Sequence, residues 1–223
     1  MTMVRTFGID ISSYSKDIDW TKVSSKLNPR FVFARACHMG EDQAQSYEDT
    51  RFVKDYWPAL RQLKMPRGAY LFCHPKADAG ESIKRFFSAY QPQAGDIVPT
   101  LDIEDIYDND CGVPVKRRIE QIAKMVQLIS SRISGQKPMI YTKVRVWNDL
   151  GNPKQFSDCP LWVLDYQATP TSPAVPVTWP KFAFWQYAEN LKADGIGGDY
   201  DPDYFNGTED TLGTYFIKQI TPP

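Results

Sequence analysis

The chain has 223 residues, is 42% hydrophobic and carries a formal net charge of −1, with acids and bases mixed along its length. That is enough apolar material for one sizeable core, and barrels of this length commonly form a single domain, so one domain over residues 1–223 is expected. Nucleic acid and anionic membrane are excluded as partners, because both need clustered Lys and Arg. No stretch approaches the apolar length of a membrane span, and the opening "MTMVRTFGIDIS" has no apolar core or small-residue cleavage site of a signal peptide. The chain as it stands is therefore expected to be soluble and without a Sec signal.

In chain order, short β-branched or aromatic runs alternate with helical stretches. The runs are "VRTFGID" (4–10), "RFVFARA" (30–36), "RGAYLFC" (67–73), "DIVPTLDIE" (96–104), "PMIYT" (138–142), "LWVLDY" (161–166), "FAFWQY" (182–187) and the weaker "GDYDPDYF" (198–205). Helical periodicity covers 19–27, 47–64, 78–90 and 113–133, with a short stretch at 143–150. Asp78 is placed to cap the third helix, and Pro114 and Gly135 bracket the fourth. After the sixth run the helices stop, because the connection 167–181 holds four prolines. The pattern predicts an α/β fold: a modified TIM-like barrel of five strand–helix units followed by three strands, (β/α)5(β)3, with a parallel sheet and crossover helices.

Such a barrel carries its chemistry at the carboxyl ends of the strands. Asp10 ends the first run, Asp102 and Glu104 end the fourth, and Asp199, Asp201 and Asp203 lie in the eighth. Strands one and eight adjoin in a closed barrel and strand four lies opposite, so these acids flank a cleft. Tyr70 and Phe72, Tyr141, Tyr166, and Trp185 with Gln186 add aromatic and amide groups, and Trp162, mid-strand, is expected in the core. Acids between aromatic walls point to a sugar polymer, whose rings stack and whose hydroxyls hydrogen-bond. Asp102 and Glu104 share a strand face about 6.6 Å apart along the backbone. Two acids that close resist joint ionisation, so one keeps a proton near neutral pH and can act as a general acid in glycoside cleavage. The bland reading of a lone D-x-E is a solvated or structural pair, and its place opposite Asp10 among aromatics argues against that.

The four cysteines, Cys37, Cys73, Cys111 and Cys159, are too scattered for a disulfide framework and read as free, mostly buried thiols. Cys37-His38 and Cys73-His74 use both histidines of the chain, but their spacing matches no zinc pattern, and neighbours on a strand point to opposite faces. No metal and no cofactor are expected.

Seven fragments in order resemble glycoside hydrolase family 25, the lysozymes of the N,O-diacetylmuramidase (Chalaropsis) type. They are "GIDISSYSKDIDWTKV" (8–23), "RGAYLF" (67–72), "PTLDIED" (99–105), "PMIYT" (138–142), "PLWVLDY" (160–166), "FAFWQY" (182–187) and "DGIGGDYDPDYF" (194–205). The resemblance implies hydrolysis of the β-1,4 bond from N-acetylmuramic acid to N-acetylglucosamine in peptidoglycan, with Glu104 as acid/base and Asp102 assisting. Asp10 and Asp201 are implied as further active-site acids, and peptidoglycan strands as the partner of a monomer. The enzyme would act on the bacterial cell wall, outside the cell or in the periplasm, after release by lysis, delivery by a secretion apparatus or removal of a signal. No separate wall-binding module is expected. Leu71 replaces the family's frequent His, and "ARACHMG" (34–40) its usual second-strand pattern, which bears on glycan specificity. The rival readings are a non-catalytic glycan-binding barrel and a hydrolase of a chitin-like polymer. Either direct attack by Asp102 or assistance to the substrate's acetamido group fits the strand spacing.

Overall fold

The structure is a computed structural model that describes residues 5–167, 169 and 171–221. Val4 of the first predicted strand, and Ala168 and Pro170 of the proline-rich connection, lie outside the described residues. The strands are β1 (Thr6–Ile11), β2 (Val32–His38), β3 (Tyr47–Glu48), β4 (Arg67–Phe72), β5 (Ile97–Asp102), β6 (Met139–Thr142), β7 (Leu161–Leu164), β8 (Phe184–Gln186) and β9 (Asp201–Phe205). The helices are α1 (Trp20–Lys26), α2 (Trp57–Gln62), α3 (Ala79–Ala89), α4 (Val115–Arg132) and α5 (Val144–Asp149). Eight strands close a ring in the order β1-β9-β8-β7-β6-β5-β4-β2, with β2 returning to β1 and the two-residue β3 attached to the outer edge of β2. No helix among the described residues is long and apolar enough to cross a membrane.

The five strand–helix units and three closing strands match the expected barrel, with one difference of direction. β9 runs antiparallel to both of its neighbours, β8 and β1. A parallel return would need a crossover long enough to traverse the barrel, and the segment between β8 and β9 instead folds back at the mouth. The reversal puts the first residue of β9, Asp201, at the carboxyl-end rim, opposite Asp10 in register, while Asp203 pairs one step deeper with Gly8.

The second predicted helix also differs. Tyr47 and Glu48 pair with His38 and Cys37, and Asp49 then accepts hydrogen bonds from the backbone N–H groups of Arg51 (3.1 Å) and Phe52 (3.3 Å), so the helical segment starts after it. A π-helical turn over Phe52–Tyr56 leads into α2, whose first turn contains a proline.

Strand alternation sorts side chains into barrel interior and helix layer. Phe31 and Phe33 point inward, and ideal Cβ atoms at Gly8 and Gly68 would lie 2.3 Å from the Phe31 ring and 2.5 Å from the Phe33 ring. These two glycines make room for the rings that fill the barrel floor. Phe33 stacks on Trp162 with centroids 4.2 Å apart, and Phe184 meets Phe31, Phe33 and Phe205 at 5.1, 5.0 and 5.1 Å. Val32, Ala34 and Ala36 face the other way, into the layer covered by helices. On that layer α3 buries Ile83 and Phe86, and α4 buries Ile122, Met125 and Ile129. Asp78 caps α3 by accepting from the N–H groups of Gly80 and Glu81.

Candidate active site

Above the aromatic floor the inward positions turn polar, and a cleft of about 320 Å³ opens at the carboxyl ends of the parallel strands. Asp10 enters from β1, Asp102 and Glu104 from the end of β5, and Asp201 from the start of β9. Tyr70, Phe72, Tyr141, Tyr166 and Gln186 line the same cleft.

Two expected residues lie elsewhere. Trp185 is fully buried on the outer face of β8, where its Nε1 donates to the Asp165 carbonyl at 2.7 Å and its ring packs near Phe182, Tyr187 and Tyr204. Alternation decides this: Gln186 faces the cleft, so its neighbour cannot. Asp199 precedes β9 and is ion-paired with Lys192 outside the cleft. Trp162, expected only as core, is buried and also forms the cleft floor, packing its ring against Tyr141 at 4.7 Å. Five further residues complete the lining: Ser12, Tyr14, Arg35, His38 and Glu189. Ser12 and Arg35 continue the inward alternation of Asp10 and Phe33, a signal present in the sequence, whereas Glu189 sits on the β8–β9 loop and has none.

A relay of hydrogen bonds fixes the acids. The Tyr141 hydroxyl donates to Gln186 Oε1 at 2.6 Å, and Gln186 Nε2 donates to Asp10 Oδ2 at 2.7 Å and Asp201 Oδ2 at 3.3 Å. The Asn190 N–H holds Asp201 Oδ1 at 2.7 Å. Below them Asp203 accepts from Trp162 Nε1 at 2.8 Å, and its side chain also meets that of Asp10 in a carboxyl–carboxyl hydrogen bond within the buried floor.

Burial dominates the electrostatics. It lifts Asp10 well above the usual carboxylate range, with the charges of Asp201 and Asp203 adding to the rise and the Gln186 bond opposing it. Burial also lifts Asp102 well above that range, reinforced by Glu104. Glu104 is raised to about 6, by burial first and the charge of Asp105 next, against the pull of Lys143. Desolvation, more than repulsion within the pair, thus keeps a proton here. The two carboxyls titrate as a unit, and near pH 6 the unit still holds a proton. Asp105, third of the clustered carboxylates, is exposed and turned outward, ion-paired with Lys143 at 2.6 Å and with Arg145.

Asp203 gives a stability prediction. It is wholly buried, and burial raises its folded pKa well above 3.8, so the native state keeps a proton that the unfolded chain sheds above about pH 4. Its stabilising share is complete below that pH and is lost as pH rises through the folded value. Asp203→Asn keeps the acceptor for Trp162 and supplies a donor toward Asp10, so it is expected to stabilise the protein at pH 7 by about 0.5–2 kcal/mol. Denaturant melts at pH 4 and pH 7 check this, with the gain confined to the higher pH; an equal or negative effect at both would contradict it.

The Cys-His pairs do not converge. Cys37 and Cys73 are buried, with their thiols near Met39 and Met125, while His38 stacks between Phe72 (4.4 Å) and Tyr47 (5.0 Å) at the mouth. All four cysteines are free thiols, and no metal-binding cluster of His, Cys, Asp or Glu occurs among the described residues.

The family model for glycosyl hydrolases family 25 matches residues 9–196. Protein YegX of Escherichia coli O157:H7, itself uncharacterized, is 28% identical over 209 residues, 93% of this chain and 72% of that protein. Lysozyme M1 of Streptomyces globisporus is 26% identical over 210 residues, 90% of this chain and 68% of that protein. The crystal structure of a bacterial lysozyme from Streptomyces coelicolor superposes with a TM-score of 0.82 at 24% identity, covering 96% of this chain and 98% of that one, a likeness of fold. With a matching barrel, an acid-lined cleft at its mouth and a family match over most of its length, the chain belongs to family 25 of the glycosyl hydrolases and is a glycoside hydrolase.

Proposed function

We propose that this enzyme is a muramidase that cleaves the β-1,4 bond from N-acetylmuramic acid to N-acetylglucosamine in peptidoglycan, with Glu104 as the general acid and base. The observation that carries the reading is the state of Glu104: its side chain lines the cleft, has no hydrogen-bond partner among the described residues, and has its pKa raised to about 6, so its proton is free for a substrate. In the first step Glu104 gives that proton to the glycosidic oxygen as the bond from the muramic anomeric carbon breaks. The carbonyl oxygen of the sugar's own 2-acetamido group closes on that carbon from the opposite face, and Asp102, in the microstate of the coupled pair that leaves the proton on Glu104, orients the amide and steadies its developing positive charge. Glu104 then takes a proton from water, whose oxygen attacks the anomeric carbon and reopens the acetamido ring. Asp10 and Asp201, bridged by Gln186, border the reacting sugar, and Tyr141 holds the bridge.

The cell wall is the site of action that follows from this chemistry, and the single barrel acts as a monomer without a cofactor. Turnover of purified peptidoglycan is expected to exceed turnover of chitin by orders of magnitude. Equal turnover would favour a general amino-sugar hydrolase, and binding of peptidoglycan with no release of reducing ends would favour a non-catalytic barrel.

A further inference from the structure

The cleft collects acids from every side and one cation, Arg35, which points inward from β2. Its guanidinium is buried but poorly matched by the protein. Nη2 donates to Ser13 Oγ at 2.8 Å and approaches Asp49 Oδ2 at 3.5 Å, longer than the 2.7–2.9 Å typical of a charge-assisted bond. Asp49 is occupied by other donors: Oδ2 accepts from the Ser13 N–H at 2.9 Å, and Oδ1 from the N–H groups of Arg51 and Phe52. Nη1 and Nε of Arg35 find no acceptor among the described residues, and Nε is wholly buried. The guanidinium carbon lies 5.4 Å from the centre of the Tyr14 ring and 6.0 Å from that of Tyr47, two exposed rings at the mouth. The fork is therefore oriented by ring faces, one serine and a distant carboxylate, and keeps unused donors in a space a ligand can enter.

Neutral sugars do not call for such a group. A carboxylate entering a cleft lined by Asp10, Asp102, Glu104, Asp201 and Glu189 meets one guanidinium, Arg35, so that group fixes where an acidic substituent sits. We propose that Arg35 is a substrate-reading residue that receives a carboxylate carried on the lactyl arm of the muramic acid unit. This rests on the muramidase reading and extends it to how a muramic acid unit is told from N-acetylglucosamine. Two sources offer the same chemistry: the lactyl carboxylate itself in a peptide-free strand, or a carboxylate of the stem peptide attached to it.

The test is steady-state kinetics on soluble muramyl glycans prepared in three forms, with peptide stems, stripped to the lactyl carboxylate, and with the carboxylates of each converted to amides. Wild-type enzyme is expected to show a KM about tenfold or more higher on the amidated form of whichever glycan supplies the carboxylate, the scale of losing a hydrogen bond to a charged group. The affected form identifies the source. In Arg35→Gln the KM values for the free and amidated forms should coincide, so the preference for the carboxylate is lost whatever common change in kcat follows from removing the cation beside Asp102. Arg35→Lys should restore part of the difference. Arg35 also faces Asp102 and favours its charge, so a purely electrostatic role would lower kcat equally on every glycan while the KM difference between free and amidated forms persists in the variant, and that persistence overturns the proposal. Removing the guanidinium leaves Asp49 buried without its cation, so the variant could fail to fold. The wild-type comparison then decides alone, and an unchanged KM on amidation refutes the proposal. If the wild type cleaves no form of the glycan, the muramidase reading falls and takes this inference with it, an outcome distinct from cleavage without a preference for the carboxylate.

Discussion

Glu104→Gln is expected to reduce peptidoglycan cleavage by about 10²- to 10⁴-fold, the range for losing general acid–base help, while leaving the fold intact. Gln preserves size and polarity and cannot transfer the proton. The side chain has no hydrogen bond to lose among the described residues, so thermal unfolding should be nearly unchanged. In the wild type, activity should decline as pH rises through about 6, because the acid is then ionised. Turbidity clearing of cell walls with purified variant, alongside a melt to verify folding, checks the prediction. Clearing at the wild-type rate would remove Glu104 from the mechanism and direct attention to Asp10 and Asp201.

Asp102→Asn is expected to impair turnover to a comparable degree by a different route. On the proposed mechanism the variant loses the carboxylate that orients the acetamido group and offsets its positive charge, while a side chain of the same shape remains. The raised pKa of Glu104 comes from burial first and the charge of Asp105 next, so the high-pH limb near pH 6 should stay in place while the rate falls. The double variant should be little worse than either single one, because the two groups act as a unit. Full multiplication of the two losses would show that they act independently.

Much of the barrel was legible because strand and helix periods differ and the apolar residues follow them. Phe33 and Arg35, with Phe31 just before the strand, share one face of β2 and Val32, Ala34 and Ala36 the other, and the same alternation carries Tyr70, Phe72, Asp10 and Asp102 toward the mouth. Applied residue by residue it also separates Gln186 from Trp185, which a reading of the "WQY" run as one wall did not do. The direction of β9 was not legible, since a strand's own residues do not encode which neighbour it opposes. Its reversal is why Asp201 reaches the cleft while Asp199 falls outside, although both are acids of one short run. Arg35 was readable as a charge on an otherwise inward apolar face, but its loose pairing depends on how Asp49 is shared with the start of the following helix, a tertiary fact. Trp162 shows a different limit, because in a narrow barrel a core side chain and a cleft floor are one residue.

The central claim, that this cleft hydrolyses the bond on the muramic acid side, is tested most directly by mass spectrometry of the soluble fragments released from purified peptidoglycan, before and after borohydride reduction. The account predicts reducible fragments that end in N-acetylmuramic acid. Fragments ending in reducible N-acetylglucosamine, or in a non-reducible anhydro-muramic residue formed without water, would contradict it.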